Sequence, residues 1–130
     1  MTSEVDYSEW EKLDLRVGKI LKVEEIEGAD KLYKIEVDLG KELGKSKSEI
    51  STDSSSKKNP NQRTICAGIK PYYKKEELIG KKIIVFANLK PRMLRGIESQ
   101  GMLLAADNSE SGKVVQLSPE SDIEIGSKIR

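Results

Sequence analysis

Apolar and polar residues alternate along several short segments of the chain, which is the pattern of strands with one buried face. The clearest segment is 33–39, whose apolar positions are Tyr33, Ile35, Val37 and Leu39. A longer segment, 15–26, predicts another strand, with Gly18 indicating a bulge or bend. The residues of this segment expected on one face are Leu15, Val17, Leu21 and Val23.

Three further strands are predicted at 63–69, 82–89 and 101–107. Segment 82–89 is nearly all apolar, which is typical of a strand buried on both faces. Segment 74–80 predicts a helical turn or two between the third and fourth strands. Five strands with a short helix after the third favour an all-β OB-fold barrel. An unrelated five-stranded barrel or sandwich would give a similar pattern.

Segments at both ends add elements outside these five strands. Ser8 and Glu11 form a capping-box pattern that predicts a helix over 8–13, with Trp10 and Leu13 facing inward. Residues 113–117 predict an additional strand after a turn, and a short apolar alternation follows in the C-terminal tail. We expect one domain over 1–130 with extra N- and C-terminal elements.

The alternation breaks at 41–62, which is rich in serine and lysine and nearly lacks apolar residues. Such a segment has no face whose burial would offset the entropy of ordering it. We therefore expect a flexible loop inserted at 41–62, between two strands.

Segment 88–102 joins the fourth strand to the fifth and carries the most informative chemistry. In an OB-fold this connection lies at the mouth of the binding face. Lys90, Arg92 and Arg95 fall within six positions, and arginine suits phosphate oxygens because its planar guanidinium can bind two of them at once. The alternative is a solvated loop whose positive charges pair with the acidic N-terminal third of the chain.

The net charge of +1 conceals a strong asymmetry along the sequence. Residues 1–30 carry a net charge of −5, whereas residues 63–102 carry +6. A basic third of the chain favours a polyanionic partner, although a charge-rich surface without a ligand would show the same distribution.

Composition argues against catalysis and against a membrane location. The chain has no histidine and one cysteine, so a Ser–His or Cys–His nucleophile is impossible within it. Cys66 is expected to be a small core residue, and no catalytic residues, metal site or cofactor are predicted. The acidic N-terminus does not resemble a targeting peptide, no apolar run is long enough to span a membrane, and we expect a cytoplasmic protein.

The aromatic residues favour a folded RNA as ligand. Proteins that bind single strands stack bases on exposed aromatic rings. Phe86 and Tyr33 fall at strand positions expected to be buried, which leaves Tyr72 and Tyr73 as candidates for stacking. Packing over the barrel end is the favoured role for both tyrosines. A surface poor in aromatics but rich in cations suits an RNA recognised by shape and backbone.

Several spaced motifs resemble the tRNA-binding domain family. The family includes free-standing tRNA-binding proteins, the C-terminal appendix of many methionyl-tRNA synthetases, and a bacterial export-chaperone branch. The resemblance covers about residues 8–130 apart from 41–62. The matching segments are DLRVGKI (14–20), ADKLY (29–33), VDLG (37–40), GKK (80–82) and NLKPRMLRGIESQGM (88–102).

The resemblance implies an OB-fold, non-catalytic tRNA binding and a homodimer built through segments outside the barrel. We further expect the domain to assist a synthetase in cis or in trans, with methionyl-tRNA synthetase as the expected partner in trans. The long 41–62 loop and Met93, where many relatives have a basic residue, depart from the family pattern. The positions that the resemblance places in the tRNA-binding region are Lys31, Asn88, Lys90, Arg92, Arg95, Ser99 and Met102. The alternative function is that of a dimeric peptide-binding module like the export chaperones.

Overall fold

The computed structural model describes residues 3–40 and 62–130. The loop expected at 41–62 therefore lies outside the described residues, except for Gln62, which begins a strand. The elements are α1 Tyr7–Glu11, β1 Leu15–Glu25, β2 Tyr33–Asp38, β3 Gln62–Ala67, α2 Lys75–Leu78, β4 Lys82–Phe86, β5 Arg92–Leu94, β6 Ile97–Ser99, β7 Met102–Leu103, β8 Ala105–Asn108 and β9 Lys113–Gln116.

Five strands form one antiparallel sheet in the order β3-β2-β1-β4-β7. The two outer strands, β3 and β7, lie close to each other. The Gln100 amide, next to β7, donates a 2.8 Å hydrogen bond to the carbonyl of Thr64 in β3. The sheet is therefore a nearly closed barrel, with α2 between β3 and β4. The predicted all-β, OB-fold barrel is confirmed.

Strand β1 pairs with two other strands, β4 and β2. Its first half pairs with β4 and its second half with β2, and the register with β2 shifts between Ile20 and Lys22. The bulge thus lies after Gly18, not at it. Because of this shift Ile20 is fully buried and Leu21 is 37% exposed, so the prediction that Leu21 shares the buried face was wrong.

The core lies inside this barrel. Alternation along β2 is as predicted, with Tyr33, Ile35 and Val37 buried. Strand β4 was expected to be buried on both faces, but only Ile83 and Val85 are buried, and the other three residues, Lys82, Ile84 and Phe86, are half-buried. The most deeply buried side chains are Ile20, Ile35, Leu39, Ile65, Leu78, Ile83, Val17, Val37 and Val85.

Helix α1 differs from its prediction. It begins at Tyr7 after Asp6, and the predicted Ser8–Glu11 capping box is absent, because Ser8 lies inside the helix and no side chain caps its start. No residue of α1 is buried, and Trp10 and Leu13 are only half-buried. The helix therefore leaves apolar side chains at the surface.

The C-terminal residues add to the barrel along β1. The Gly126 amide donates to the carbonyl of Val17 at 2.7 Å, and the Ile129 amide donates to the carbonyl of Leu15 at 2.8 Å. The expected fifth strand is divided into β7 and β8, and β8 pairs with β9 in a separate hairpin. No helix in the described ranges is long and apolar enough to cross a membrane.

Candidate nucleic-acid interface

The connection between β4 and β7 is a short hairpin made by β5 and β6. Arg92 lies opposite Ser99, and Leu94 lies opposite Ile97. The two turn residues, Arg95 and Gly96, have φ angles of 53° and 81°. Two consecutive positive φ angles are typical of a type I′ hairpin turn, whose twist matches that of paired strands. The sequence predicts only a loop here, so the hairpin itself is a structural finding.

An apolar cluster fastens this hairpin to the barrel. Leu94 and Ile97 pack against the buried side chains of Ile26, Ala29 and Cys66, and Leu32 packs on the same cluster. The β1–β2 connection is thereby placed beside the hairpin. Lys31, next to Leu32, is exposed on that connection.

The cations of the hairpin segment face solvent. Lys90, Arg92 and Arg95 are exposed, and none of them forms an ion pair within residues 3–40 and 62–130. The alternative in which acidic residues of the N-terminal third neutralise them is therefore not found in the described part of the chain. We call Lys90, Arg92 and Arg95 the basic hairpin surface.

Several cations elsewhere in the described ranges are paired, among them Lys70 and Lys75. The Lys70 ammonium lies 2.9 Å from a carboxylate oxygen of Glu25, and Lys75 lies 3.5 Å from the other oxygen. The hydrogen bond from Lys70 lowers the pKa of Glu25, and the same hydrogen bond raises the pKa of Lys70. The charges of Lys70 and Lys75 are thus compensated by Glu25, unlike those of the basic hairpin surface.

Two of the predicted site residues support the structure with their side chains. The amide of Asn88 bonds to the backbone of Lys12 and Asp14. Ser99 is buried, and its hydroxyl accepts a hydrogen bond from the Cys66 amide at 2.9 Å and donates one to the carbonyl of Gly101 at 3.1 Å. Met102, in contrast, is 44% exposed beside the hairpin.

The two tyrosines considered for stacking have different environments. The Tyr73 hydroxyl accepts a hydrogen bond from the Gln116 amide, and the ring packs on the core. Tyr72 is 48% exposed. The predicted packing role thus fits Tyr73, whereas the ring of Tyr72 is exposed. The sequence alone could not tell which of these two adjacent tyrosines is buried.

Within residues 3–40 and 62–130, no group of three or more Cys, Asp or Glu side chains is placed to bind a metal ion. Cys66 is buried as predicted, and burial raises the pKa of its thiol. What the site offers is exposed positive charge on a fixed scaffold.

The barrel and its exposed cations define a binding domain of the OB-fold class. The model of the family described as "Putative tRNA binding domain" matches residues 15–61 and 56–128. The chain is 47% identical over 126 residues to a methionine–tRNA ligase of Pyrococcus horikoshii, with 97% of this chain covered. It spans only 14% of the length of that ligase.

Two solved structures share the fold along the whole chain. A MetRS-related protein from Pyrococcus horikoshii is 33% identical with a TM-score of 0.79, covering 99% of this chain and 100% of that one. A CsaA chaperone protein from Picrophilus torridus is 30% identical with a TM-score of 0.75, covering 98% and 100%. The chain therefore belongs to the tRNA-binding domain family, as its motifs predicted.

Proposed function

We propose that the chain is a single, non-catalytic domain over residues 1–130 that binds folded tRNA through the basic hairpin surface and the neighbouring Lys31. The observation that carries this proposal is the exposure of Lys90, Arg92 and Arg95 on an anchored hairpin without ion pairs in the described ranges. Exposed cations that lack internal partners attract phosphates and release counterions on binding. In this proposal the hydrogen bonds of Asn88 and Ser99 stabilise the segments at the two ends of the hairpin. The exposed side chain of Met102 provides an apolar contact for the RNA.

A folded RNA fits this surface better than an extended single strand. Tyr33 is buried and the Tyr73 ring packs on the core, so of these tyrosines Tyr72, which is 48% exposed, is left for stacking a base. Backbone contacts position a protein without reading sequence. We therefore expect similar affinities for different tRNAs.

A salt titration tests this function. Binding of bulk tRNA is measured from 50 to 300 mM salt for the wild type and for the double variant Arg92→Ala/Arg95→Ala. With about three to five phosphate contacts, log Kd should rise steeply with log salt, at roughly 0.7–0.9 per contact. The double variant should bind more weakly and lose roughly 1.4–1.8 from that slope.

The matched control is Lys81→Ala/Lys113→Ala, which removes the same charge from exposed positions outside the hairpin. It should leave the slope nearly unchanged. Equal effects of the two double variants would show that net charge alone governs binding, and a flat salt response would reject the electrostatic mechanism.

We propose further that the domain assists a methionyl-tRNA synthetase in the cytoplasm by raising the local tRNA concentration. Support comes from the methionine–tRNA ligase relatives, of which this chain resembles one stretch. Adding the protein should lower the KM of the synthetase for tRNA while leaving kcat unchanged. An unchanged KM, together with failure to co-purify, would remove the synthetase role but leave RNA binding intact.

The exposed apolar side chains of the N-terminal region support a homodimer. Val5 and Tyr7 are 74% and 69% exposed. They line an open hollow of about 600 Å³ with Trp10 and Leu13, and such a surface is typical of an interface. Sedimentation should show a dimer at micromolar concentration. Tyr7→Glu should shift it to monomer, whereas Val115→Glu, at another exposed apolar position, should not.

The same apolar hollow also supports the alternative function of peptide binding. A second support is the similarity of this chain to the CsaA chaperone structure. The two functions are separated by comparing the affinity for tRNA with the affinity for an unfolded polypeptide. Peptide binding that Tyr7→Glu abolishes, together with absent tRNA binding, would favour the chaperone-like role.

A further inference from the structure

A small pocket opens beside the basic hairpin surface. Its volume is about 80 Å³, and no carboxylate lies among the residues that line it. Two of these are the cations Lys90 and Arg92, and the apolar part is formed mainly by Leu89, Leu94 and Met102. Cys66 also contributes to the lining.

The side chain of Ser99, a polar group that lines the pocket, is already engaged in the fold. The Ser99 hydroxyl accepts from the Cys66 amide and donates to the Gly101 carbonyl, at 2.9 and 3.1 Å. A ligand therefore meets apolar surface within the pocket and positive charge at its rim. This arrangement suits a group that is flat and apolar on one side and carries phosphate on the other.

The size of the pocket limits that group to a single residue of a nucleic acid. A stacked helix cannot enter a space of about 80 Å³, whereas part of one base turned out of a stack can. Folded RNAs present such unstacked bases at bulges and loops.

We infer that this pocket receives one unpaired nucleotide of a bound RNA, with the face of its base against Leu89 and Met102 and its phosphate near Lys90 and Arg92. The inference rests on the proposed RNA binding and specifies its ligand. Because the Ser99 hydroxyl is already hydrogen-bonded within the fold, the base is selected by its unstacked state and not by its identity. All four bases should therefore be accepted.

The test compares two RNA duplexes of the same length, one fully paired and one with a single bulged nucleotide. Affinities are measured by fluorescence anisotropy for the wild type, Met102→Ala and Met93→Ala. The wild type should prefer the bulged duplex roughly threefold to tenfold, and Met102→Ala should abolish the preference. Met93 is 66% exposed and does not line the pocket, so Met93→Ala should retain the preference.

Cys66 supplies a second measurement, because it is the only cysteine of the chain and lines the pocket. Its reaction with a small methanethiosulfonate reagent is followed at saturating concentrations of each RNA and of inorganic phosphate. The bulged duplex should slow the reaction at least about fivefold more than either the paired duplex or phosphate. If the thiol does not react in the free protein, the duplex preferences of Met102→Ala and Met93→Ala alone decide whether the pocket receives a nucleotide.

The outcomes separate this inference from the proposed function. Equal binding of both duplexes with equal thiol protection would overturn the pocket assignment while leaving RNA binding in place. Protection by phosphate alone would show an anion site without a base. Failure of both duplexes and of tRNA to bind would overturn the proposed function and this inference with it.

Discussion

Asn88 and Asp14 are joined by a hydrogen bond although 74 positions separate them, with the Asp14 amide donating to Asn88 Oδ1 at 2.8 Å. The Nδ2 group of Asn88 also donates to the Lys12 carbonyl at 2.7 Å. One side chain thus holds the segment after α1 against the end of β4, where the chain enters the basic hairpin segment.

Replacing Asn88 with alanine should lower the free energy of unfolding by about 1–2 kcal/mol, because two hydrogen bonds between distant segments are lost. Urea denaturation measures the change. Ser109→Ala, at an exposed turn position, is the control and should have almost no effect. A variant as stable as the wild type but defective in tRNA binding would instead indicate direct contact between Asn88 and RNA.

Ser99→Ala should also act through stability. The hydroxyl satisfies the buried Cys66 amide, and a buried donor without an acceptor costs about 1–3 kcal/mol. Thermal denaturation should show the loss, while Ser121→Ala, at an exposed position, should show none. An unchanged melting temperature for Ser99→Ala would contradict the supporting role.

Arg95 should show opposite effects on stability and binding. Its φ of 53° is unfavourable for arginine and well tolerated by asparagine. Arg95→Asn should therefore raise the free energy of unfolding by roughly 0.5–1 kcal/mol and weaken tRNA binding roughly threefold to tenfold.

The control for that measurement is Arg95→Lys, which keeps the positive charge. It should retain most of the affinity without a gain in stability. Stronger tRNA binding by Arg95→Asn would show that the side chain at the turn does not contact RNA.

The ion pair between Asp14 and Arg16 should give a pH-dependent contribution to stability. The Arg16 guanidinium binds both carboxylate oxygens, at 2.8 and 2.7 Å, and its hydrogen bonds lower the pKa of Asp14 from the ordinary value of 3.8. A carboxyl group with a lowered pKa stabilises the fold above the unfolded-state pKa, and this stabilisation is lost as the pH falls through the folded-state pKa.

Asp14→Asn should therefore cost about 1–2 kcal/mol at pH 7, and the difference from the wild type should shrink as the pH falls below 3.8. Urea denaturation at several pH values measures it. Asp107→Asn, exposed and unpaired within the described ranges, should change stability by less than about 0.5 kcal/mol. A difference that persists undiminished at low pH would contradict the role of the charge.

Gly18 should resist substitution because neighbouring side chains fill the space around it. A Cβ atom there would lie 3.0 Å from Leu39 Cδ2 and 3.1 Å from Val85 Cγ2. Gly18→Ala should cost about 1–3 kcal/mol in unfolding free energy. Gly68→Ala is the matched control, since its Cβ would have no neighbour closer than 3.9 Å. Equal stability of the two variants would show that the core yields around Gly18.

The strands of the barrel could be predicted from the sequence because their alternation is local. Tyr33, Ile35 and Val37 show their burial directly in the order of residues. The bulge after Ile20 could not be predicted in this way, because it depends on which partners the two halves of β1 pair with. From the sequence alone, Leu21 is therefore assigned to the buried face.

The same limit applies to the candidate site. The exposed cations could be predicted from their density in 88–102, whereas the roles of Asn88 and Ser99 depend on contacts with residues far away in the sequence. The hairpin was missed because its turn is Arg95–Gly96, whereas asparagine or aspartate before glycine is the usual signal.

The apolar anchoring of Leu94 and Ile97 on Ile26, Ala29 and Cys66 has a consequence for association with a ligand. The backbone that carries the cations is set before any partner arrives, so binding need not pay to order it. An isolated peptide of residues 88–102 would bear the same charges but would lose conformational freedom on binding. The barrel thus increases the affinity for a ligand by holding the hairpin backbone in one conformation, although most barrel residues contact no ligand.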